Sequence, residues 1–505
     1  MKMAVRHVIL SLCLVLLLLS GCVGGGGTTT PTTADPRIGF TYPDSADYST
    51  LTWAGAFKAA HDKFSREYAF GDWKGVDWPG LYNHFSPRIV RAQAAGDEKA
   101  YYLALHEYVC SIPDGHISLS VTNTTVPMTL AKELVGGGFG MAVAELDDSR
   151  VIAAAVIPDS PATSAGIVAG AQIITWGGVP AGTAIGGIDV GAIPFKILTG
   201  EAGSENPIPT LEHYRLEQTR LLTRGPVGSS VQVAFKNPGS AISQTATLMA
   251  VDDAGQSFSL LNFAQRPDLS DQVDYRILPE GYGYVLVRME LDLLNPGGYP
   301  TRIYQQFQEA ISSFVAANLP GVIIDLRGNY GGSDQLAADL CGFFTSSPAF
   351  YEEQEYFDKR NGQFLRITAS ESSPNPIVDH LSIEPQKPNF SGPVVVLVNP
   401  STKSSGEGPA MGISRLPKGR VIGFYGTNGS FGMVGGRIKM PGGYAIGYPF
   451  GRSVDHNGVV QLDSRNGVGG VAPGLRVPKT LENVLALAAG TDVELQFAIK
   501  YLGGS

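Results

Sequence analysis

The stretch VIIDLRGNYGG, residues 322–332, joins an apolar run to a loop rich in glycine. A second stretch of the same kind, VVVLVNPSTKSSGEG, follows at residues 394–408. Neither apolar run alternates with polar residues, which is typical of strands buried on both faces. Helical periodicity over 304–317 separates a further predicted strand, 283–289, from the first apolar run, so the sequence predicts a mixed α/β fold with crossover helices.

Both loops follow the carboxyl end of a predicted strand, where the sites of open α/β sheets form. A serine between a strand and a helix start can expose its hydroxyl, and the next backbone N–H can face the same space. Ser404 or Ser405 is therefore a candidate nucleophile, although Ser-Gly clusters usually mark turns. Gly331 and Gly332 have no Cβ, so a second backbone N–H could approach and complete an oxyanion hole.

Upstream of these loops, apolar residues at helical spacing predict helices over 54–68 and about 89–109, then a short strand over 117–121. These helices precede any β pattern, so the first folded part is helical. The full division predicts a signal peptide (1–21), a linker (22–45), an N-terminal helical domain (46–122), a β domain (133–252) and an α/β catalytic domain (256–499).

The β domain carries a string of glycine-spaced motifs. GGGFGM at 136–141 and SPA at 160–162, with AGI at 165–167, resemble a PDZ domain of the kind found in secreted proteases. Such a domain binds a peptide as an added β-strand, and its loop donates backbone N–H groups to the peptide carboxylate. The resemblance implies that Gly138, Phe139 and Gly140 form this loop. Residues 180–225 look like an insertion that would alter or cover the groove, with a helical patch over 211–222.

The two glycine-bearing motifs together, DLRGNYGG and VLVNPSTKSSGEGPA, resemble the tail-specific, or C-terminal processing, serine peptidase superfamily, which includes the tricorn core protease. The order helical region, PDZ domain and catalytic domain is the same in that family. The resemblance implies that Ser404 is the nucleophile. It also implies that the Ser405 N–H and a glycine N–H from Gly331 or Gly332 form the oxyanion hole. Ser405 as the nucleophile is the rival interpretation.

Members of this superfamily activate the serine with either a lysine or a histidine. The lysine branch uses a T-x-G-K-G loop, and Ser430 holds the lysine position here. The tricorn-like branch uses a histidine before the PDZ domain, which implies His116 in the motif PDGHI. An imidazole with a pKa of about 6.5 can take the serine proton and return it to the leaving amine. A structural His116 is the alternative, and His456 is the competing histidine, which we interpret as part of a turn.

A histidine base needs a carboxylate that orients it. The tricorn-like branch places an acid shortly before a GV-x-P-D segment, in which Gly474 replaces the usual Asp here. The resemblance implies that Asp463 holds the histidine, directly or through a hydroxyl, and a turn-capping Asp463 is the alternative. Asp114 is another candidate for the orienting acid, although we expect it to be a turn residue beside His116, and we expect Glu407 to be a charge at a helix N-terminus.

The N-terminus predicts an export signal. Lys2 and Arg6 precede an apolar run that ends in LSGC, residues 19–22. LSGC resembles a lipoprotein box, which implies cleavage before Cys22 and a diacylglycerol on its sulfur. An ordinary signal peptide with an incidental cysteine is the alternative. The sequence therefore predicts a lipid-anchored protein on the extracytoplasmic face of a membrane, either in a periplasm or on a cell surface.

Composition excludes other classes of protein. The 505 residues carry a net charge of -9, which argues against nucleic acid as the main partner because phosphate binding needs a basic surface. No Cys/His/Asp cluster has metal-ligand spacing, and no phosphate loop of the G-x-x-x-x-G-K type is present. We therefore expect neither a metal nor a cofactor.

Together these features predict a membrane-anchored serine endopeptidase that cleaves protein or peptide substrates, including unstructured C-termini, through an acyl-enzyme. Two alternatives remain. One is a catalytically inactive peptide- or ligand-binding module on the same fold. The other is an acyl hydrolase or esterase, since fold alone does not fix the substrate.

Overall fold

A computed structural model describes residues 41–503 except 200–203, 262, 264–271, 294–298, 367, 370–376 and 379. The predicted signal peptide, Cys22 and most of the linker lie outside the described residues. The helices are α1 Trp53–Glu67, α2 Gly71–Lys74, α3 Trp78–Ala95, α4 Glu98–Cys110, α5 Thr125–Val135, α6 Pro161–Ser164, α7 Ala181–Gly186, α8 Leu211–Leu221, α9 Gln256–Ser259, α10 Thr301–Ala316, α11 Asp334–Gly342, α12 Glu407–Ser414, α13 Leu481–Ala488 and α14 Val493–Tyr501.

The strands are short and spread along the whole described chain. They are β1 Ala46–Asp47, β2 Ser118–Val121, β3 Gly137–Gly138, β4 Met141–Glu145, β5 Val151–Val156, β6 Gln172–Trp176, β7 Val179–Pro180, β8 Ser204–Glu205, β9 Arg224–Gly225, β10 Ser230–Lys236, β11 Gln244–Met249, β12 Val251–Asp252, β13 Val273–Ile277, β14 Gly283–Val287, β15 Val322–Asp325, β16 Ala349–Asp358, β17 Gln363–Arg366, β18 Thr368–Ala369, β19 Ile377–Val378, β20 Leu381–Ile383, β21 Val394–Leu397, β22 Gly419–Gly423, β23 Met433–Met440, β24 Tyr444–Val454 and β25 Leu475–Arg476.

The two motif-bearing strands are neighbours in a sheet of order β13-β14-β15-β21-β22-β25, which is parallel except for β13. Ile324 and Val396 enter one apolar core together with α10, α11 and α12. Ile323 and Val395 enter a second core on the other face, together with α13 and α14. The sheet is thus buried on both faces, as the unbroken apolar runs predict.

A second, mostly antiparallel sheet lies under the N-terminal helices. Its order is β1-β23-β24-β16-β17, with β2 and β20 paired alongside. Phe57 of α1 and Leu105 of α4 share one core with Ile438 and Ile446 of this sheet. The N-terminal helices therefore complete a core whose other half comes from the C-terminal part of the chain.

A third sheet has the order β11-β10-β6-β5-β4, with β7 paired to β6. It encloses its own apolar core, which includes Phe139, Val151 and Phe235. Strand β4 is the last strand on its side of this sheet.

The mixed α/β class and the helical N-terminal region are confirmed. The single helix predicted over 89–109 is wrong, because two helices, α3 and α4, meet there. Gly96 ends α3 with a left-handed φ of 64°, and the Asp97 side chain caps α4 by accepting the Ala100 N–H. No helix in the described ranges is both long and apolar enough to cross a bilayer.

Candidate active site

Two loops follow the parallel strands β15 and β21: the glycine loop, residues 326–332, and the loop that carries Ser404, residues 398–406. Side chains at the ends of these strands hold the two loops together. Asn399, after β21, accepts the N–H groups of Gly328 at 3.0 Å and Ser401 at 3.1 Å through its Oδ1. The Thr402 hydroxyl donates to the Leu326 carbonyl at 2.7 Å. Because parallel strands end at the same edge of the sheet, these bonds fix one loop against the other.

Ser404 lies at the turn between β21 and helix α12. It is half-buried and begins a short 3₁₀ turn, Ser404–Gly406, that leads into α12. Its φ of 56° is left-handed, which costs a non-glycine residue energy and occurs often at functional sites. A strand–turn–helix with this geometry can present a serine hydroxyl to substrate.

Ser405 has a different environment. It is 2% exposed, and its hydroxyl lies 2.7 Å from Asp334 Oδ1 and 2.9 Å from the Gly332 carbonyl. A hydroxyl engaged in this way is not available for attack, whereas Ser404 has no such partners among the described contacts. The geometry therefore favours Ser404 over Ser405 as the nucleophile, and leaves the Ser405 N–H as a donor.

The two glycines of the first loop differ in what their amides do. The Gly331 N–H donates to Asn329 Oδ1 at 2.8 Å, so it is already engaged. In the described part of the chain, neither the Gly332 N–H nor the Ser405 N–H has a protein acceptor. The predicted oxyanion hole is therefore best formed by Gly332 and Ser405, without Gly331.

Gly331 instead allows the loop to approach the nucleophile. A Cβ at Gly331 would lie 2.5 Å from Ser404 Cβ and 2.9 Å from the Ser405 amide nitrogen, and its φ of 92° is left-handed. A Cβ at Gly332 would overlap the Glu290 backbone carbonyl. Both positions thus require glycine for close packing.

His116 lies two residues before β2, at the end of a tight Asp114–Gly115–His116 turn. The Gly115 N–H donates to the Ser430 hydroxyl at 2.8 Å, and the Ser404 N–H donates to the Ser430 carbonyl, also at 2.8 Å. One residue therefore joins the histidine turn to the nucleophile. Ser430 holds the position of the lysine in the lysine branch.

The His116 ring is buried and poorly solvated. The residue is 9% exposed, and neither ring nitrogen has a hydrogen-bond partner in the described structure. Burial, aided by Lys403 and Lys74 and opposed by Asp114, lowers the pKa of His116 to about 4. The imidazole is thus neutral at pH 7, the form that a general base needs.

The carboxylate beside the histidine is Asp114. Its Oδ1 accepts the His116 backbone N–H at 2.8 Å and lies 4.0 Å from Nδ1 of the ring, and its Oδ2 accepts the Tyr68 hydroxyl at 2.8 Å. Asp463 makes no described contact with His116. Its Oδ2 accepts the Phe431 N–H at 2.9 Å, so the direct contact considered for Asp463 is absent.

Asp463 nonetheless belongs to the same buried group of charges. Its side chain is fully buried, and burial together with the charge of Asp114 raises its pKa well above the ordinary value. Lys74 Nζ lies 3.8 Å from Asp463 Oδ1. Sequence reasoning missed Lys74 and Tyr68, because neither lies in a motif or near one.

Glu407, in the first turn of α12, holds the loop that carries Ser430. Its carboxylate accepts the Ser430 N–H at 2.8 Å, the Gly429 N–H at 3.1 Å and the Thr427 hydroxyl. Burial raises its pKa to about 7, although these hydrogen bonds oppose the rise. Glu407 therefore does more than place a charge at a helix N-terminus.

The loop predicted to bind a peptide carboxylate is largely engaged within the fold. Gly138 lies in β3, which pairs with both β9 and β12, and the Phe139 N–H donates to the Thr223 carbonyl at 3.1 Å. Gly140 has a φ of 86° and lies against Ser160. The helix predicted over 211–222 is confirmed as α8.

Comparison with known families supports a site that cleaves peptide bonds. Residues 290–475 match the sequence model of peptidase family S41. The segment that carries both glycine-bearing motifs therefore has the sequence pattern of an S41 peptidase. The chain is accordingly a serine-type peptidase, and the predicted tail-specific superfamily is confirmed. No curated protein matches the sequence.

Solved structures of CPAF have a fold similar to that of this chain over most of its length. Mature CPAF complexed with lactacystin is 13% identical, with a TM-score of 0.55 over 89% of this chain and 98% of that one. Mature CPAF alone is 14% identical, with a TM-score of 0.55 over 90% and 95%. The photosystem II D1 C-terminal processing protease is 17% identical and covers 88% and 99%, with a TM-score of 0.37. At these identities the CPAF similarity concerns the fold alone.

Proposed function

We propose that this S41 protein is a membrane-anchored, extracytoplasmic serine endopeptidase with Ser404 as nucleophile and His116 as general base. The observation that carries the proposal is the double role of Ser430, which bonds the Ser404 amide and the Gly115 amide at 2.8 Å each. Ser430 thus links the strained turn of Ser404 to the turn that ends in His116, whose ring nitrogens have no hydrogen-bond partner in the described structure.

In the proposed reaction, Ser404 Oγ attacks the peptide carbonyl while His116 takes its proton. The Ser405 and Gly332 N–H groups donate to the oxyanion, and Asp114 stabilises the imidazolium that forms 4.0 Å away. His116 then protonates the leaving amine, which releases one product and leaves an acyl-enzyme. Water attacks the acyl-enzyme with His116 as base, releasing the second product and restoring Ser404.

The proposed substrates are proteins or peptides with unstructured ends, held on the PDZ-like sheet. Strand β4 is an edge strand, which can pair with an added strand. A cleft beside it is lined by residues that include Ala142, Ala144, Leu216, Phe258 and Phe263. Helix α8 also contacts this edge, since Arg215 bonds both Glu145 carboxylate oxygens at 2.8 Å. We propose that α8 restricts entry to the groove.

A fluorophosphonate probe tests the catalytic proposal. Residues 36–505 should be labelled, and Ser404→Ala and His116→Ala should abolish or strongly slow the labelling. Ser401→Ala and His456→Ala are matched controls, because Ser401 lies in the same loop and His456 is exposed. Ser405→Ala should keep labelling at a reduced rate. A folded parent that is never labelled, or a Ser404→Ala variant that is, would contradict the proposal and favour a non-catalytic binding module.

The proposed location rests on the LSGC box and is tested separately. The full chain expressed in a bacterium should be found in the membrane fraction and incorporate radioactive palmitate. Cys22→Ser should lose the label and move to a soluble extracytoplasmic fraction. A parent chain without label in a soluble fraction would refute the anchor and leave the catalytic proposal untouched.

A further inference from the structure

Lys74 reaches from the N-terminal helices into the proposed active site. It ends the short helix α2, and its side chain is 4% exposed. Its ammonium donates to the Pro113 carbonyl at 2.9 Å, the Ser464 carbonyl at 2.6 Å and the Ser464 hydroxyl at 3.1 Å. All three donor positions of the ammonium are thus used within the protein.

The acceptors of Lys74 belong to the two segments that carry the proposed base and the predicted acid. Pro113 starts the turn that ends in His116, and Ser464 follows Asp463. The Ser464 hydroxyl also donates to the Pro113 carbonyl at 3.1 Å, so the two segments meet at the lysine. The Pro113 and Ser464 segments lie far apart in sequence. Lys74, from a third part of the chain, bonds to both of them.

Both acidic and basic side chains surround Lys74. The nearest carboxylate is Asp463, whose Oδ1 lies 3.8 Å away and has no hydrogen-bond partner in the described structure. The titratable and charged groups that face this cluster are Asp114 and His116 from the turn, Tyr68 after α1, Lys403 and Glu407 beside the nucleophile, and Arg465 over Trp73. The rings of Phe70 and Trp73 flank the ammonium at 5.5 and 5.7 Å.

We propose that Lys74 is a positioning residue for proton transfer. Its ammonium fixes the His116 turn against the Asp463 segment and places a positive charge 3.8 Å from the Asp463 carboxyl. The inference rests on the proposed roles of Ser404 and His116. It assigns to an N-terminal helical residue a function that no motif indicates.

The positive charge of Lys74 should shift the pH profile of activity in a defined direction. A cation lowers the pKa of a neighbouring carboxyl or imidazole, and Lys74 lowers that of both Asp463 and His116. Removing the cation raises both values. Activity falls at low pH when either His116 or Asp463 becomes protonated. In both cases, the midpoint of this fall moves to higher pH when Lys74 is removed.

The test measures the rate of fluorophosphonate labelling against pH for the full chain in detergent. Lys74→Met should lower the maximal labelling rate about tenfold or more, with the half-saturating probe concentration changed less than about twofold. Its acid midpoint should rise by about one pH unit. Lys74→Arg keeps the charge and should keep the midpoint of the parent.

Controls separate positioning from a loss of fold. Lys63→Met removes another buried lysine of the same region, which pairs with Glu67 at 2.7 Å, and should not move the midpoint. If Lys74→Met does not fold, Lys74→Gln keeps hydrogen-bond donors without charge and should show the shifted midpoint. An unshifted midpoint in the folded neutral variant overturns the inference. Absence of labelling in the parent would instead refute the proposed function.

Discussion

At the scale of single residues, the site is assembled by backbone atoms as much as by reactive side chains. Ser404 and His116 could be predicted because each lies in a local motif. The engagement of the Gly331 amide by Asn329 could not, because it depends on the path of the loop in three dimensions. Lys74 carries no signal of its own in the sequence, since its acceptors are backbone and hydroxyl oxygens of distant segments.

The first prediction concerns Gly331→Ala. The added Cβ would lie 2.5 Å from Ser404 Cβ and 2.9 Å from the Ser405 amide nitrogen, so it should disturb the nucleophile and crowd the oxyanion position. We expect labelling to slow by about 10²-fold or more. The left-handed φ should cost roughly 1–2 kcal/mol of unfolding free energy in addition.

Gly362→Ala is the matched control for this substitution. Gly362 also has a left-handed φ, 69°, but a Cβ there meets nothing within 4 Å. It should lower the free energy of unfolding by a similar amount and leave the labelling rate unchanged. Equal labelling rates in the two variants would show that Gly331 is not needed for close approach. Chemical denaturation and probe kinetics give both quantities.

At the scale of elements, helix α12 supports the site through Glu407, its first residue, which accepts hydrogen bonds from the 427–430 loop. The parallel strands that lead into it could be predicted, because strands buried on both faces leave an unbroken apolar run. The antiparallel sheet of β23 and β24 was not predicted, since its pairing with β2 joins segments that are distant in sequence. The bonds from Glu407 to the 427–430 loop are of this long-range kind as well.

The second prediction concerns Glu407→Ala. The change removes the acceptor of two buried N–H groups and one hydroxyl, so we expect a loss of about 2–4 kcal/mol of unfolding free energy. Labelling should slow, because the Ser430 carbonyl that accepts the Ser404 N–H loses its support. Glu482→Ala is the control, as Glu482 is an exposed glutamate in the first turn of α13. Unchanged stability of Glu407→Ala would contradict the argument.

At the scale of the whole molecule, the site depends on parts that no single segment contains. The segment that matches family S41, residues 290–475, carries Ser404, the proposed nucleophile, but neither His116 nor Lys74. The N-terminal helices also cover the face of the antiparallel sheet that bears Ile438 and Ile446. The S41-matching segment therefore lacks the proposed base and part of one apolar core.

The third prediction follows from this division. A fragment of residues 256–503 should not be labelled by the probe and should expose apolar surface, which a fluorescent hydrophobic dye would detect. Adding residues 41–255 as a separate chain should restore some labelling if the two fragments assemble. Labelling of the isolated fragment at the rate of the parent would show that neither His116 nor Lys74 is needed.

The pairing of β1 with β23, in which Ala46 lies opposite Ile438, has a consequence for the order of events during biosynthesis. The first strand emerges early and must wait for a partner near the end of the chain, as must β2, whose Ser118 lies opposite Gly447. Closing such long loops is entropically costly, so native topology forms late. A nascent chain that already contains His116 and Ser404 therefore lacks the strand that holds the His116 segment in place, and the proposed catalytic pair can assemble only when nearly all of the chain has been made.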